Sequence, residues 1–151
     1  MGEKTVFRNK KMDSVFKGLY AGVFMFLACI AVISFLQDED PKVLWAMGTV
    51  IGFLMFVLIS GVLKVKIVIE ASFLRIYYFF KVYETDILQI TKIRKGETMW
   101  SGFHKYGTGT KGLIIFSKFK NDLYITPENE DFFYHKILEI NPDVVIEKIE
   151  K

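Results

Sequence analysis

The sequence predicts an α+β membrane protein, in which a two-helix transmembrane hairpin is followed by a curved, mainly antiparallel sheet with a C-terminal helix. Three observations predict it. Apolar residues are concentrated in two uncharged runs, Gly18 to Leu36 and Val43 to Leu63. The hydrophobic period then switches to 2 from Lys64 onward, and one amphipathic segment near residue 130 carries helix start and stop signals. Of the 151 residues 52% are hydrophobic and 16% aromatic, with three prolines, which excludes disorder as the main state.

The first run has 19 residues and the second 21. At ~1.5 Å per residue each is long enough for a hydrocarbon core of ~30 Å. The chain therefore divides into a basic tail (1–17), a membrane hairpin (18–63, with spans 18–36 and 43–63) and an aqueous domain (64–151). The tail carries Lys4, Arg8, Lys10, Lys11 and Lys17 against Glu3 and Asp13, whereas the link from Gln37 to Lys42 carries Asp38, Glu39 and Asp40 against Lys42. Basic residues at the outer ends of the runs, Lys17, Lys64 and Lys66, place both termini in the cytoplasm and the acidic link outside. A cleavable signal peptide would need a shorter apolar stretch and a small-x-small site, and Phe35, Leu36 and Gln37 supply none. Myristoylation at Gly2 would want Ser or Thr where Val6 stands.

A link of six residues leaves room only for an antiparallel hairpin. Two small-xxx-small pairs suit close helix packing: Gly18 and Gly22 would face Ser60 and Gly61, and Gly48 and Gly52 would face Ala28 and Ala31. The same glycines also suit a homo-oligomer. Neither run contains a charge, so ion conduction or proton relay has no visible machinery. Cys29, the only cysteine, lies mid-membrane and allows neither an intramolecular disulfide nor a cysteine metal cluster.

Beyond Leu63, Val65, Ile67 and Ile69 alternate with more polar neighbours as a strand leaving the membrane, and Ala71 and Ser72 form a turn. Phe73 to Phe80 reads as a second strand whose two faces are both apolar or aromatic, hence covered on both sides. Val82 to Thr85 reads as a third. Ile87, Ile90 and Ile93 anchor a short helical turn running into another strand. A Gly-rich stretch, Gly96 to Gly112, interrupts the pattern before Leu113 to Ser117 and Leu123 to Thr126 resume it as a hairpin. Thr126 is suited to N-cap a helix with Pro127 at its first position and Glu128, Glu130 and Asp131 in its first turn. Phe133, Ile137 and Ile140 mark the inner face of that helix, and Asn141 with Pro142 stops it.

The strand pair KVKIVIE and FLRIYYFF, the segment VYETDILQITKIRK with its Ile-x-x-Ile-x-x-Ile corner, and above all LYITPENEDFFYHKILEINPDV carry a likeness to a known group. The sequence resembles the short bacterial membrane proteins with a pleckstrin-homology-like (PH-like) domain after a two-helix hairpin, the YyaB-like group and its relatives. The resemblance covers nearly the whole chain. One departure is GETMWSGFHKYGTGTKGLIIF, where many members have a Ser-rich segment ending in Ser-x-Asp-Arg and this chain has Thr110 and Lys111. That loop is also similar in part to the sublancin-type bacteriocin immunity proteins. The resemblance implies a PH-like sheet closed by the C-terminal helix, and a binding module as its use.

Catalysis would need a nucleophile with a base, or two converging carboxylates, and His104 and His135 have no Asp, Glu or Cys at motif spacing. Gly107, Gly109 and Gly112 match neither phosphate-loop spacing. No catalytic residue, metal site or cofactor is expected. A balanced aqueous domain of 14 basic and 12 acidic residues also does not suit nucleic acid. The candidate site is the loop region holding Arg94, Lys95, Trp100, Phe103, Lys105, Tyr106 and Lys111, where cations and aromatic tips suit anionic lipid headgroups or a membrane protein partner. A solvated loop with Trp100 folded onto the sheet is the simpler alternative. In eukaryotic PH domains phosphoinositides bind a basic loop between the first two strands; here that loop is Glu70, Ala71 and Ser72, without a basic cluster. The expected function is thus a non-enzymatic interaction module on the cell membrane. A bacteriocin immunity or envelope-stress protein is the alternative, and a membrane-bound enzyme the third reading.

Overall fold

The computed structural model describes residues 4–37, 40–63 and 65–149, without the side chains of 57–63. Asp38 and Glu39 of the acidic link, Lys64 at the second span's end, and the side chain of Ser60 with its neighbour Gly61 lie outside the described residues. The chain is α+β. Its first element, strand β1 (Lys4–Arg8), is followed by two consecutive helices, α1 (Ser14–Leu36) and α2 (Pro41–Leu63). Helix α1 begins four residues ahead of the apolar run because the Asp13 side chain caps it, accepting from the Phe16 amide at 3.0 Å.

Helix α1 is long and apolar enough to cross a membrane, and α2 is apolar over Pro41–Phe56. The two touch, and Leu27 of α1 lines a small apolar pocket together with Ala46, Met47, Val50 and Ile51 of α2. Gly48 and Gly52 are not at this contact, and the side chains expected opposite Gly18 and Gly22 lie outside the described residues. Among the described residues, a Cβ built on Gly18, Gly22, Gly48 or Gly52 meets no atom within 4 Å. Gly48 and Gly52 therefore do not press against Ala28 and Ala31 as expected. Small residues permit close approach only on the face turned to the neighbour, and Gly48 and Gly52 have no neighbouring atom there among the described residues.

Strands β2 (Lys66–Glu70), β3 (Phe73–Tyr77) and β4 (Lys81–Asp86) follow, and with β1 they make an antiparallel sheet in the order β1-β2-β3-β4. The residues read as a free basic tail thus include an edge strand, in register Phe7 to Ile67 and Arg8 to Lys66. The β2–β3 turn is at Ala71 and Ser72 as expected, with Ala71 at a φ of 52°. Strand β3 ends three residues early. It shifts register at Ile76/Tyr77, and Phe79 and Phe80 project from the tip rather than lying covered in the sheet.

A single 3-10 turn (Ile87–Gln89) leads to β5 (Ile90–Glu97), β6 (His104–Lys105), β7 (Gly112–Ser117), β8 (Lys120–Ile125), helix α3 (Glu130–Ile140) and β9 (Val145–Lys148). The second sheet runs β6-β8-β7-β5-β9, antiparallel at its centre, with β6 parallel to β8 and β9 parallel to β5 at its edges. Neither edge strand was expected from the sequence. Helix α3 starts at Asn129 rather than Thr126: the Asn129 side chain caps the Phe132 amide at 3.0 Å. Thr126 is fully buried, and its hydroxyl accepts from the Thr108 amide instead.

The core lies between the sheets and under α3. Ile67, Leu74, Ile76, Ile87, Ile93, Leu113, Ile115, Leu123, Ile125, Phe133 and Ile137 are all without solvent exposure. Phe133 and Ile137 are core as read from the periodicity, whereas Ile140 packs at the margin. Phe7 of β1 meets the Phe133 ring edge-on at 5.3 Å, so a fragment beginning at Lys64 lacks part of this core.

Candidate functional site

The seven residues read as one basic and aromatic site are divided by the fold. Arg94 and Lys95 are neighbours on β5, and successive strand residues point to opposite faces. Arg94 is held by Glu147 at 2.9 Å and Glu97 at 3.0 Å, over the Phe116 ring. Lys95 turns to the start of α3, where it meets Glu130 at 3.0 Å and lies over the Tyr134 ring. The same Glu130 carboxylate, nearly buried, also accepts from Lys10. These charges are spent inside the domain. Lys111 occupies a left-handed turn, with a φ of 55°, and its amide donates to the Thr98 hydroxyl.

Trp100 and Lys105 do come together, on a partner the sequence did not suggest. The Trp100 indole is parallel to the Phe16 ring of α1's first turn, 8° between planes and 6.4 Å between centroids. The Lys105 ammonium sits 5.4 Å from Phe16 and 5.5 Å from Trp100, within cation–π range of both. Phe103 is 90% exposed and reaches away from the sheet. Tyr106 faces inward, against Tyr78 at 5.7 Å and Tyr83 at 6.4 Å, and its hydroxyl lies 3.2 Å from His104 Nδ1. Burial pushes the Tyr78, Tyr83 and Tyr106 phenols up, so these three hydroxyls keep their protons at physiological pH.

The glycines that follow serve a clasp. Tyr106 and Gly107 amides both donate to the Tyr124 carbonyl, and the Tyr124 hydroxyl donates to the Gly109 carbonyl while accepting from the Gly112 amide. A Cβ at Gly107 would lie 2.6 Å from a Tyr124 ring atom, so only glycine allows the loop this close to β8. The segment ahead of α1 is bound into the same clasp. Asn9 donates to the Tyr106 carbonyl at 2.8 Å, and the Thr108 hydroxyl donates to the Lys10 carbonyl at 2.8 Å. The Asp13 carboxylate accepts from both the amide and the hydroxyl of Thr110. Sequence reading missed Asp13, Phe16 and Thr110 here; the one signal available was an Asp three residues ahead of an aromatic at a helix start.

Desolvation acts to raise Asp13, but hydrogen bonds from the Phe16 amide and from Thr110 outweigh it and hold the carboxyl below its ordinary value of 3.8. A carboxyl depressed on folding adds stability above its unfolded pKa, and that stability is lost as pH falls through the folded value. Asp13→Asn keeps a capping side chain and removes the charge. The wild-type protein should therefore exceed this variant in thermal stability above pH 4, with the gap closing as pH drops below 3.8. A gap of constant size from neutral to acid pH would show that the charge is immaterial to the clasp.

Among the described residues no three His, Cys, Asp or Glu side chains converge as a metal would require. Residues 65–141 match the family model of the bacterial PH domain, from the strand that follows α2 to the residue that stops α3. No curated protein and no solved structure matches the chain.

Proposed function

Since the chain belongs to the bacterial PH domain family, its domain covering just over half of the residues, we propose that it is a non-enzymatic, membrane-anchored interaction module. In this reading α1 and α2 are a transmembrane hairpin, both termini are cytoplasmic, and the PH-like domain is held at the inner leaflet. The finer placement, among YyaB-like proteins or beside the sublancin-type immunity proteins, rests on the loop and C-terminal segments quoted above.

One observation carries the proposal. Arg8 and Lys66 are direct partners across β1 and β2, so the chain leaves the sheet toward α1 and returns from α2 at a single point. The two apolar helices are an insertion between adjacent strands. Their surfaces are apolar and exposed along the length, with Met25, Phe35, Leu36, Trp45 and Phe53 each at least 65% exposed; water is a poor solvent for such a surface and lipid a good one. The basic residues between Lys4 and Lys17, against the acidic link, favour the cytoplasmic orientation. Phe103 and the outer face of Trp100 are then the aromatic groups of the loop available to a membrane protein partner.

Cysteine labelling tests the anchoring. In a Cys29→Ser background, Glu39→Cys should react with a membrane-impermeant maleimide on intact cells, and Asn121→Cys only after lysis. Reaction of Asn121→Cys on intact cells would overturn the orientation, and release of the protein by alkaline carbonate would overturn the anchoring.

A further inference from the structure

The strongest candidate for lipid contact is the tip of the β3–β4 hairpin, which the sequence pattern had assigned to a covered strand. We propose that Phe79 and Phe80 form a wedge that enters the acyl chains just beneath the headgroups of an anionic leaflet. This deepens the anchored reading and rests on it. The tip extends past the end of the sheet from which the helices depart, and it runs alongside them. The Phe79 ring is stacked on Phe56 of α2, 11° between planes and 6.5 Å between centroids. From Phe56 to Leu63 the helix rises roughly 10 Å, seven residues at ~1.5 Å. The hairpin tip is thus well inside the apolar length of α2, at a depth beyond the headgroup layer if α2 spans the bilayer.

Exposure and charge support the same occupant. Phe56 is 63% exposed, Phe79 58% and Phe80 70%, a continuous apolar surface shared by helix and hairpin. Directly above it, one register row crosses all four strands of the first sheet: Arg8 pairs with Lys66, Lys66 with Tyr77, and Tyr77 with Lys81. Lys81 has Glu84 at 3.1 Å. Arg8 and Lys66 are exposed and have no acidic partner among the described residues. A row of cations with a tyrosine at the headgroup level, over two phenylalanines, is complementary to a leaflet containing anionic lipid. The Gly-rich loop lacks this arrangement, since its glycines and threonines are consumed by the clasp on Tyr124 and Asp13.

Depth measurement on the full chain tests the wedge. In a Cys29→Ser background, nitroxide labels at Phe56→Cys, Phe80→Cys and Asn121→Cys are compared in vesicles of phosphatidylcholine with and without phosphatidylglycerol. Collision with oxygen reports acyl chains, and collision with a nickel chelate reports water. The label at Phe80→Cys should resemble that at Phe56→Cys, oxygen-accessible and nickel-protected, whereas Asn121→Cys should be nickel-accessible. Adding Lys66→Gln and Lys81→Gln should raise nickel access at Phe80→Cys in the anionic vesicles and leave it unchanged in the neutral ones. A nickel-accessible label at Phe80→Cys beside a nickel-protected one at Phe56→Cys would overturn the wedge while the anchor stands. Nickel access at both would defeat the anchored reading itself. Protection of Phe80→Cys from both reagents would replace lipid with a protein contact.

Discussion

Replacing Phe133 by Ala should cost about 3 to 5 kcal/mol of folding stability, the range for deleting a buried phenylalanine. The ring has no solvent exposure, and it is the point at which α3 closes the space between the two sheets. Its edge contact with Phe7 also fastens β1, the strand through which the chain enters α1. A loss of this size is a large part of the total of ~5 to 15 kcal/mol typical of a domain, so the variant should unfold at markedly lower denaturant. Urea unfolding of the full chain in detergent micelles would measure it. Phe132→Ala, at a half-exposed position on the adjacent face of the same helix, should cost much less. Equal effects of the two substitutions would show that α3 is not the seal of this core.

The second large effect is expected at Asn141. This residue ends α3, its amide donating to the Ile137 carbonyl at 2.8 Å, and it is nearly buried. Its side-chain amide donates to the Ile87 carbonyl at 2.9 Å and the Ile90 carbonyl at 3.1 Å. The helix stop is therefore also a brace on the isoleucine corner, where Ile87, Ile90 and Ile93 are all buried. Asn141→Ala removes both donors from the corner and should cost about 1 to 3 kcal/mol. Asn141→Asp should be worse at neutral pH, because it sets a carboxylate against two carbonyl oxygens in a nearly dry site. Its deficit should shrink on acidification, as protonation restores one donor. An Asp variant no less stable than the Ala variant at neutral pH would rule out this geometry.

Much of this fold can be read locally. Two uncharged runs, the change of period after Leu63 and the spacing of Phe133 and Ile137 each report the surroundings a short stretch of chain requires. The Asn-Pro stop was legible for the same reason. The position of the α3 cap was not, since Thr126, Asn129 and the acidic residues between and after them offer competing starts. Burial decided it: the Thr126 hydroxyl is taken by the Thr108 amide, leaving Asn129 to cap.

The candidate site was less legible. Arg94 and Lys95 are adjacent in sequence to a loop rich in Trp, Lys and Gly, but opposite faces of β5 and the acids on α3 and β9 separate them from it. Glycine-rich composition suggested a contact loop, whereas close approach to Tyr124 is what the glycines permit.

By itself, then, the sequence determined which stretches are apolar throughout, which alternate, and which residues of α3 point inward. Tertiary structure alone decided that Lys4–Arg8 is a strand, that Val145–Lys148 is another, and that Phe79 stacks on Phe56 of α2. The physical reason is separation along the chain. β1 has one buried side chain and no periodicity strong enough to declare itself, and its partner lies beyond two whole helices. β9 is exposed along its length and exists only because the edge of β5 offers it hydrogen bonds. A local pattern records what each residue prefers to touch; pairing over such distances is settled only when the rest of the sheet is in place.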